Sequence, residues 1–158
     1  MKKFLLIVMV FLLMFTGLGA CKAEQENPVD NLDDVIITLE RTACYGFCPI
    51  YSLTIHGDGT VIYEGEDFVQ TVGRAETVTS KEKVQQIIAE FENINFFSLK
   101  NAYTEKTITD APSVITSITR NGKTKTVEHY HGDFNAPEKL TELEDKIDEI
   151  VNSERWIK

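Results

Sequence analysis

Cys44-Tyr45-Gly46-Phe47-Cys48-Pro49-Ile50-Tyr51-Ser52-Leu53-Thr54-Ile55-His56-Gly57-Asp58-Gly59 carries a bend, a strand and a turn in unbroken succession. Gly46 gives the backbone freedom between the cysteines, and Pro49 blocks a helix from continuing through them. After Pro49 the apolar residues Tyr51, Leu53 and Ile55 alternate with Ser52, Thr54 and His56, the period of a half-buried strand. Gly57-Asp58-Gly59 then turns the chain, because glycine accepts positive φ without a Cβ clash, and Thr60-Val61-Ile62-Tyr63-Glu64-Gly65 returns. A cysteine pair on a β-bend is thereby predicted, not one at the start of a helix.

Upstream, Val35, Ile37 and Leu39 alternate with Ile36, Thr38 and Glu40, which predicts a strand before the bend. Downstream, Arg74 to Thr79 reads as a short strand. Thr79 and Ser80 can both cap a helix, Glu82 has capping-box spacing from Thr79, and Val84, Ile87, Ile88 and Phe91 form one apolar helical stripe. Phe96, Phe97 and Leu99 are expected to plug the space between that helix and the sheet. Asn101 to Pro112 has no clean period and reads as a loop. Val114 to Arg120 and Lys123 to Tyr130 read as strands around Asn121-Gly122, the preferred two-residue hairpin corner. A last helix is predicted from Pro137, with Leu140, Leu143, Ile147, Ile150 and Val151 as its buried stripe, and Trp156 and Ile157 folding back onto the core. The connections are too short for parallel crossovers. The expectation is an α+β domain over residues 35–158: an antiparallel sheet of about five to six strands with two helices on one face. A hairpin followed by a helix occurs twice, with no residue-level repeat beneath it.

The N-terminus has a different character. Lys2 and Lys3 precede an apolar run from Phe4 to Phe15, followed by Leu18-Gly19-Ala20-Cys21. Charge, apolar core and small residues in that order predict a signal peptide over residues 1–20, with a core too short to span a bilayer comfortably. The last four residues resemble a bacterial lipobox. That resemblance implies palmitate-type lipidation of Cys21, a membrane anchor, and a cell-envelope location facing outside the cytoplasm. Acyl chains would supply the membrane affinity, about 0.8 kcal/mol per buried CH₂. Residues 21–34 read as the lipidated Cys and an acidic tether.

The chain has 158 residues and a formal charge of −9. Removing Lys2 and Lys3 with the leader leaves 14 basic against 25 acidic residues, a net charge of −11. So acidic a surface repels phosphate backbones and anionic headgroups, so no nucleic-acid partner is expected. The expected partners are the membrane, through the lipid on Cys21, and an envelope protein or ligand.

Cys44 and Cys48 admit three chemistries. An exported chain meets an oxidising compartment, and with Cys21 lipidated the remaining cysteine count is even, as a structural disulfide requires. Its ring is small, so it stabilises less than the ~3 kcal/mol of a 15-residue loop and serves to shape the bend. Thiol redox exchange is a second use, although a reactive Cys ordinarily sits at a helix N-terminus and a strand follows here. The third is metal: Cys-x-x-x-Cys-Pro resembles the motif of copper-delivery proteins with a thioredoxin fold. Cys44, Cys48, His129 and His131, with Asp133 as a further donor, would suit copper or zinc. His129-Tyr130-His131 places both imidazoles on one strand face. Otherwise no cofactor is expected.

Other candidates have plainer explanations. Asp58 and Asp110 suit turn anchors. Tyr45, Phe47, Tyr51 and Tyr103 form either an aromatic binding surface or part of the core, and core packing is the expectation. No Gly-x-Ser-x-Gly elbow, phosphate loop or His-Glu-x-x-His string occurs, so no enzyme is expected.

Taken together, Cys44-x-Gly46-x-Cys48-Pro49-x-Tyr51, Gly59-x-Val61-x-Tyr63-x-Gly65, Asp110-Ala111-Pro112 and the terminal Leu140, Ile147-Asp148 and Trp156 resemble a bacterial domain of unknown function, the family numbered DUF6438, often carried on lipoproteins. The resemblance spans Val35 to Trp156. It implies an extracytoplasmic domain and transfers no catalytic residue.

Overall fold

The computed structural model describes residues 31–158. The leader, Cys21 and most of the predicted tether lie outside the described residues. Four strands come first: β1 (Ile36–Arg41), β2 (Ile50–His56), β3 (Thr60–Asp67) and β4 (Gly73–Val78). Helix α1 (Lys81–Asn93) and a 3₁₀ turn (Phe96–Ser98) follow. Then come β5 (Ala102–Tyr103), β6 (Ser113–Arg120), β7 (Lys123–Tyr130), α2 (Glu138–Val151) and the short α3 (Glu154–Ile157).

The strands form one sheet in the order β4-β3-β2-β1-β6-β7-β5. The chain meanders from β1 out to the β4 edge, passes through α1, and returns as the β6–β7 hairpin on the other side of β1. Every pairing is antiparallel except β5 with β7, which is parallel. The sheet is therefore mixed and has seven strands, more than the five to six expected. The extra strand lies in the stretch read as loop. Two residues are too few to show a side-chain period, and the pairing is made by backbone groups such as Glu128 N–H on the Asn101 carbonyl, 2.9 Å.

Alternation does what the sequence predicts. Ile37, Leu39, Tyr51, Leu53, Ile55, Val61, Tyr63, Val114, Ile118 and Val127 are buried on one face. The stripes Val84, Ile87, Ile88, Phe91 of α1 and Leu140, Leu143, Ile147, Val151 of α2 join the same core. Each fully buried Leu or Ile contributes about 1.5–3 kcal/mol of apolar transfer. Asn121 and Gly122 both have positive φ, 52° and 68°, as the two-residue corner demands.

Three details differ from expectation. Of the two expected caps of α1, Ser80 is the one used, accepting from Lys83 N–H, so the Thr79–Glu82 box is not formed. Phe96 is buried, but Phe97 is 47 % exposed because the 3₁₀ turn points it outward. Of the Phe96, Phe97, Leu99 plug, only Phe96 and Leu99 touch the core. The predicted tether also ends early. Leu32 is buried in the core, Asp34 accepts from Gly122 N–H at 2.8 Å, and the Leu32 carbonyl lies where a Cβ on Gly57 would stand. Only glycine lets the β2–β3 corner approach that closely.

Candidate functional site

Cys44 and Cys48 are joined as a disulfide with Cα atoms 5.7 Å apart, inside the ordinary range. The closed loop sits between β1 and β2. Its entry is held by Thr42 N–H on the Ser113 carbonyl and its tip by Tyr45 N–H on the Asp110 carbonyl, 3.0 and 3.2 Å. At its exit the β2–β3 register shifts between Ile50 and Tyr51, next to Pro49, whose nitrogen has no proton to give a ladder.

The loop presents aromatic rings to solvent. Tyr45 is 89 % exposed and Phe47 87 % exposed. Phe47 meets Phe68 edge to face, with centroids 5.4 Å apart. The core packing expected of Tyr45 and Phe47 is thus wrong, because a five-residue ring cannot fold its own side chains inward. Tyr51 and Tyr103 are buried, as expected.

Beside the loop lies a cavity of about 420 Å³ lined by Arg41, Pro49, Tyr51, Asp148, Asn152 and Ser153, among others. Asp148 organises its wall. It accepts from Arg41 Nε at 2.8 Å, Tyr51 Oη at 2.8 Å and Ser153 Oγ at 2.5 Å. Arg41 Nη2 also reaches Asp145 at 3.0 Å. Burial works against the Arg41 charge, yet the Asp148 carboxylate overrides it and pushes the guanidinium pKa up. Burial, reinforced by Asp148, likewise pushes the Tyr51 phenol up.

The two histidines gather elsewhere. His129 lies inward on β7 beside Val127, and His131 follows at the strand end. Both point at Glu144 of α2. His129 Nδ1 is 2.9 and 3.2 Å from its two carboxylate oxygens, and His131 Nε2 is 3.0 Å from one of them. The His129 and His131 rings are 4.7 Å apart. The four residues proposed for metal from the sequence therefore separate: the sulfurs bond each other, and the imidazoles share a carboxylate. Asp133 lines the same recess, where backbone N–H groups of Glu105 and Asn135 hold its carboxyl below the usual range.

Glu144 is the residue the sequence reading passed over. It is fully buried, four after Leu140 and three before Ile147, on the apolar stripe. That spacing was the available signal, hidden because Glu also fills the outer face of this helix. Asp58 behaves as a turn anchor. It accepts from Thr60 N–H at 2.8 Å, whereas Asp110 takes part in its turn through φ 69° and its carboxylate accepts from the Thr109 hydroxyl, not from a backbone N–H of the described residues.

No helix among the described residues is long and apolar enough to cross a membrane. No curated protein matches the chain. A family described as "Domain of unknown function (DUF6438)" matches residues 35–151, which takes in every strand from β1 to β7, the disulfide loop, and both main helices. The chain belongs to the DUF6438 family.

Proposed function

We propose that this chain is a cell-envelope lipoprotein, anchored through Cys21, whose folded domain binds a partner outside the cytoplasm with the Cys44–Cys48 loop. One observation carries the reading: two large aromatic rings, Tyr45 and Phe47, stand almost fully exposed on a loop closed by a disulfide. Rings left in water forgo burial worth about 1.5–3 kcal/mol each, and aromatic anchors of this kind dominate binding energy where a partner covers them. A loop already closed loses little freedom on binding. The disulfide then serves as a clip. The sulfurs precede a strand, so no helix N-terminus stabilises a thiolate for exchange. The acidic surface suits a partner whose contact rim is basic around an apolar centre. The reading involves no catalytic step.

Two measurements test the anchor and the loop separately. A clickable palmitate analogue fed to cells expressing the full chain should label it, and Cys21→Ser should abolish the label. A photo-crosslinking amino acid at position 47 should give a discrete adduct in intact cells, lost in the Cys44→Ser/Cys48→Ser variant. The same probe at position 85, on the exposed face of α1, should give none. Equal adducts at both positions would overturn the loop assignment.

A further inference from the structure

We propose that His129, His131 and Glu144 form a binding site for one divalent transition-metal ion, of the zinc or copper class, with Asp133 as an outer carboxylate. The inference stands apart from the loop reading and shares no residue with it.

Two polar side chains break the apolar pattern of two different elements at one point, and a third joins them from just beyond β7. His129 takes an inward position of β7, where Val127 before it is core. Glu144 takes a stripe position of α2 between Leu140 and Ile147. His131 closes the group from the end of β7. An ionised carboxylate with no solvent exposure costs several kcal/mol in desolvation unless cations or strong donors face it. One imidazole would serve to satisfy it, yet two converge. Local rules are broken together in this way chiefly where a sequence serves a site.

The donor set has the chemistry of a metal centre. Two imidazole nitrogens and one carboxylate oxygen lie within 4.8 Å of one another. Two His and one carboxylate is a ligand set that holds zinc or a first-row metal while leaving a position open. The His–Glu contacts of 2.9–3.2 Å need widen only by tenths of an ångström, while the two imidazole nitrogens, within 4.8 Å of each other, must come to about 3.4 Å for each donor to sit about 2.0–2.2 Å from a shared ion. An entry route exists. His129, His131 and Asp133 line a recess of about 320 Å³ together with Phe134, Ala136, Glu138 and Thr141. No Lys or Arg is among those lining residues, and the carboxylates of Asp133 and Glu138 face the same space. The imidazole of His131 remains 25 % exposed, so the site is reachable without unfolding. Because Cys44 and Cys48 are bonded to each other, no thiolate among the described residues competes for the ion.

The test uses the full chain purified in detergent, with free thiols alkylated and the disulfide intact. Zn²⁺ is titrated against a chromophoric chelator, and bound metal is counted by mass spectrometry. One equivalent should bind, and Co²⁺ should give visible d–d bands of a four- or five-coordinate site. His131→Gln is the principal variant, because a partly exposed side chain can change without loss of fold, as circular dichroism will verify. It should weaken Zn²⁺ binding at least 100-fold and erase the Co²⁺ bands. Asp133→Asn should weaken binding about 10-fold, as outer-shell changes do. Failure of the wild-type chain to retain Zn²⁺, or His131→Gln binding as tightly as wild type, would overturn the site and leave a purely structural His–Glu cluster.

Discussion

Asp148 shows how much one carboxylate can hold in place. Three donors from three parts of the chain meet it: Arg41 on β1, Tyr51 on β2 and Ser153 beyond α2. The Arg41 and Asp148 side chains are 19 % and 17 % exposed, so water replaces a lost partner poorly. Asp148→Ala should lower stability by about 2–4 kcal/mol, chiefly by leaving the part-buried Arg41 charge with only the exposed Asp145 as a partner. Chemical denaturation at pH 7 checks this. Tyr51 adds a pH dependence. Its phenol is raised above the ordinary 10.0, so the native state holds that proton more tightly than the unfolded chain does. The corresponding stability is fully present below about pH 10 and is lost as pH rises further. Tyr51→Phe should flatten the fall of stability above pH 10, read from urea melts at pH 8 and pH 11. At pH 8 it should cost about 1 kcal/mol for the hydrogen bond.

At the scale of elements, the disulfide loop and its supports make one unit. A five-residue ring restricts the unfolded chain only modestly, and loop-closure entropy puts its contribution at about 2 kcal/mol. Cys44→Ser/Cys48→Ser should therefore leave the domain folded, with a midpoint lowered accordingly. The loop itself should respond far more. Without the clip, Tyr45 and Phe47 sit on a free segment, and limited chymotrypsin digestion should cut there many times faster than in the oxidised chain. Equal digestion rates would show that the Tyr45–Asp110 and Thr42–Ser113 hydrogen bonds hold the bend unaided. Helix α2 combines two duties. Its stripe closes the core through Leu140, Leu143, Ile147 and Val151, while Asp148 and Glu144 project from it into the cavity wall and the histidine cluster.

At the scale of the whole molecule, the C-terminal turn completes the fold beyond the family-matched residues. Trp156 stacks on Tyr63 at 4.8 Å, and Tyr63 stacks on Tyr51 at 5.6 Å. The Trp156 carbonyl accepts from Thr71 N–H at 2.9 Å, tying α3 to the β3–β4 connection. Trp156→Ala should cost about 3–5 kcal/mol, as large core truncations do. Trp156 is the only tryptophan, so native fluorescence should be blue-shifted and lost in a single transition with the far-ultraviolet signal.

The strands from β1 to β4, the β6–β7 hairpin and both long helices were legible because their signals are local. Side chains repeat every 2 or 3.6 residues, and the corner at Asn121-Gly122 needs residues that tolerate positive φ. β5 was not legible, since it is a backbone pairing with no side-chain signature. The sequence by itself also determined that the domain is acidic and that its cysteines sit on a bend before a strand. Only the tertiary structure decided which distant side chains meet: Arg41 with Asp148, 107 residues apart, and His129 with Glu144 across the helix–sheet interface. The physical reason is that periodicity tells which face a residue takes, whereas convergence depends on strand register and on how α2 lies across the sheet, and neither is written in the spacing of one element.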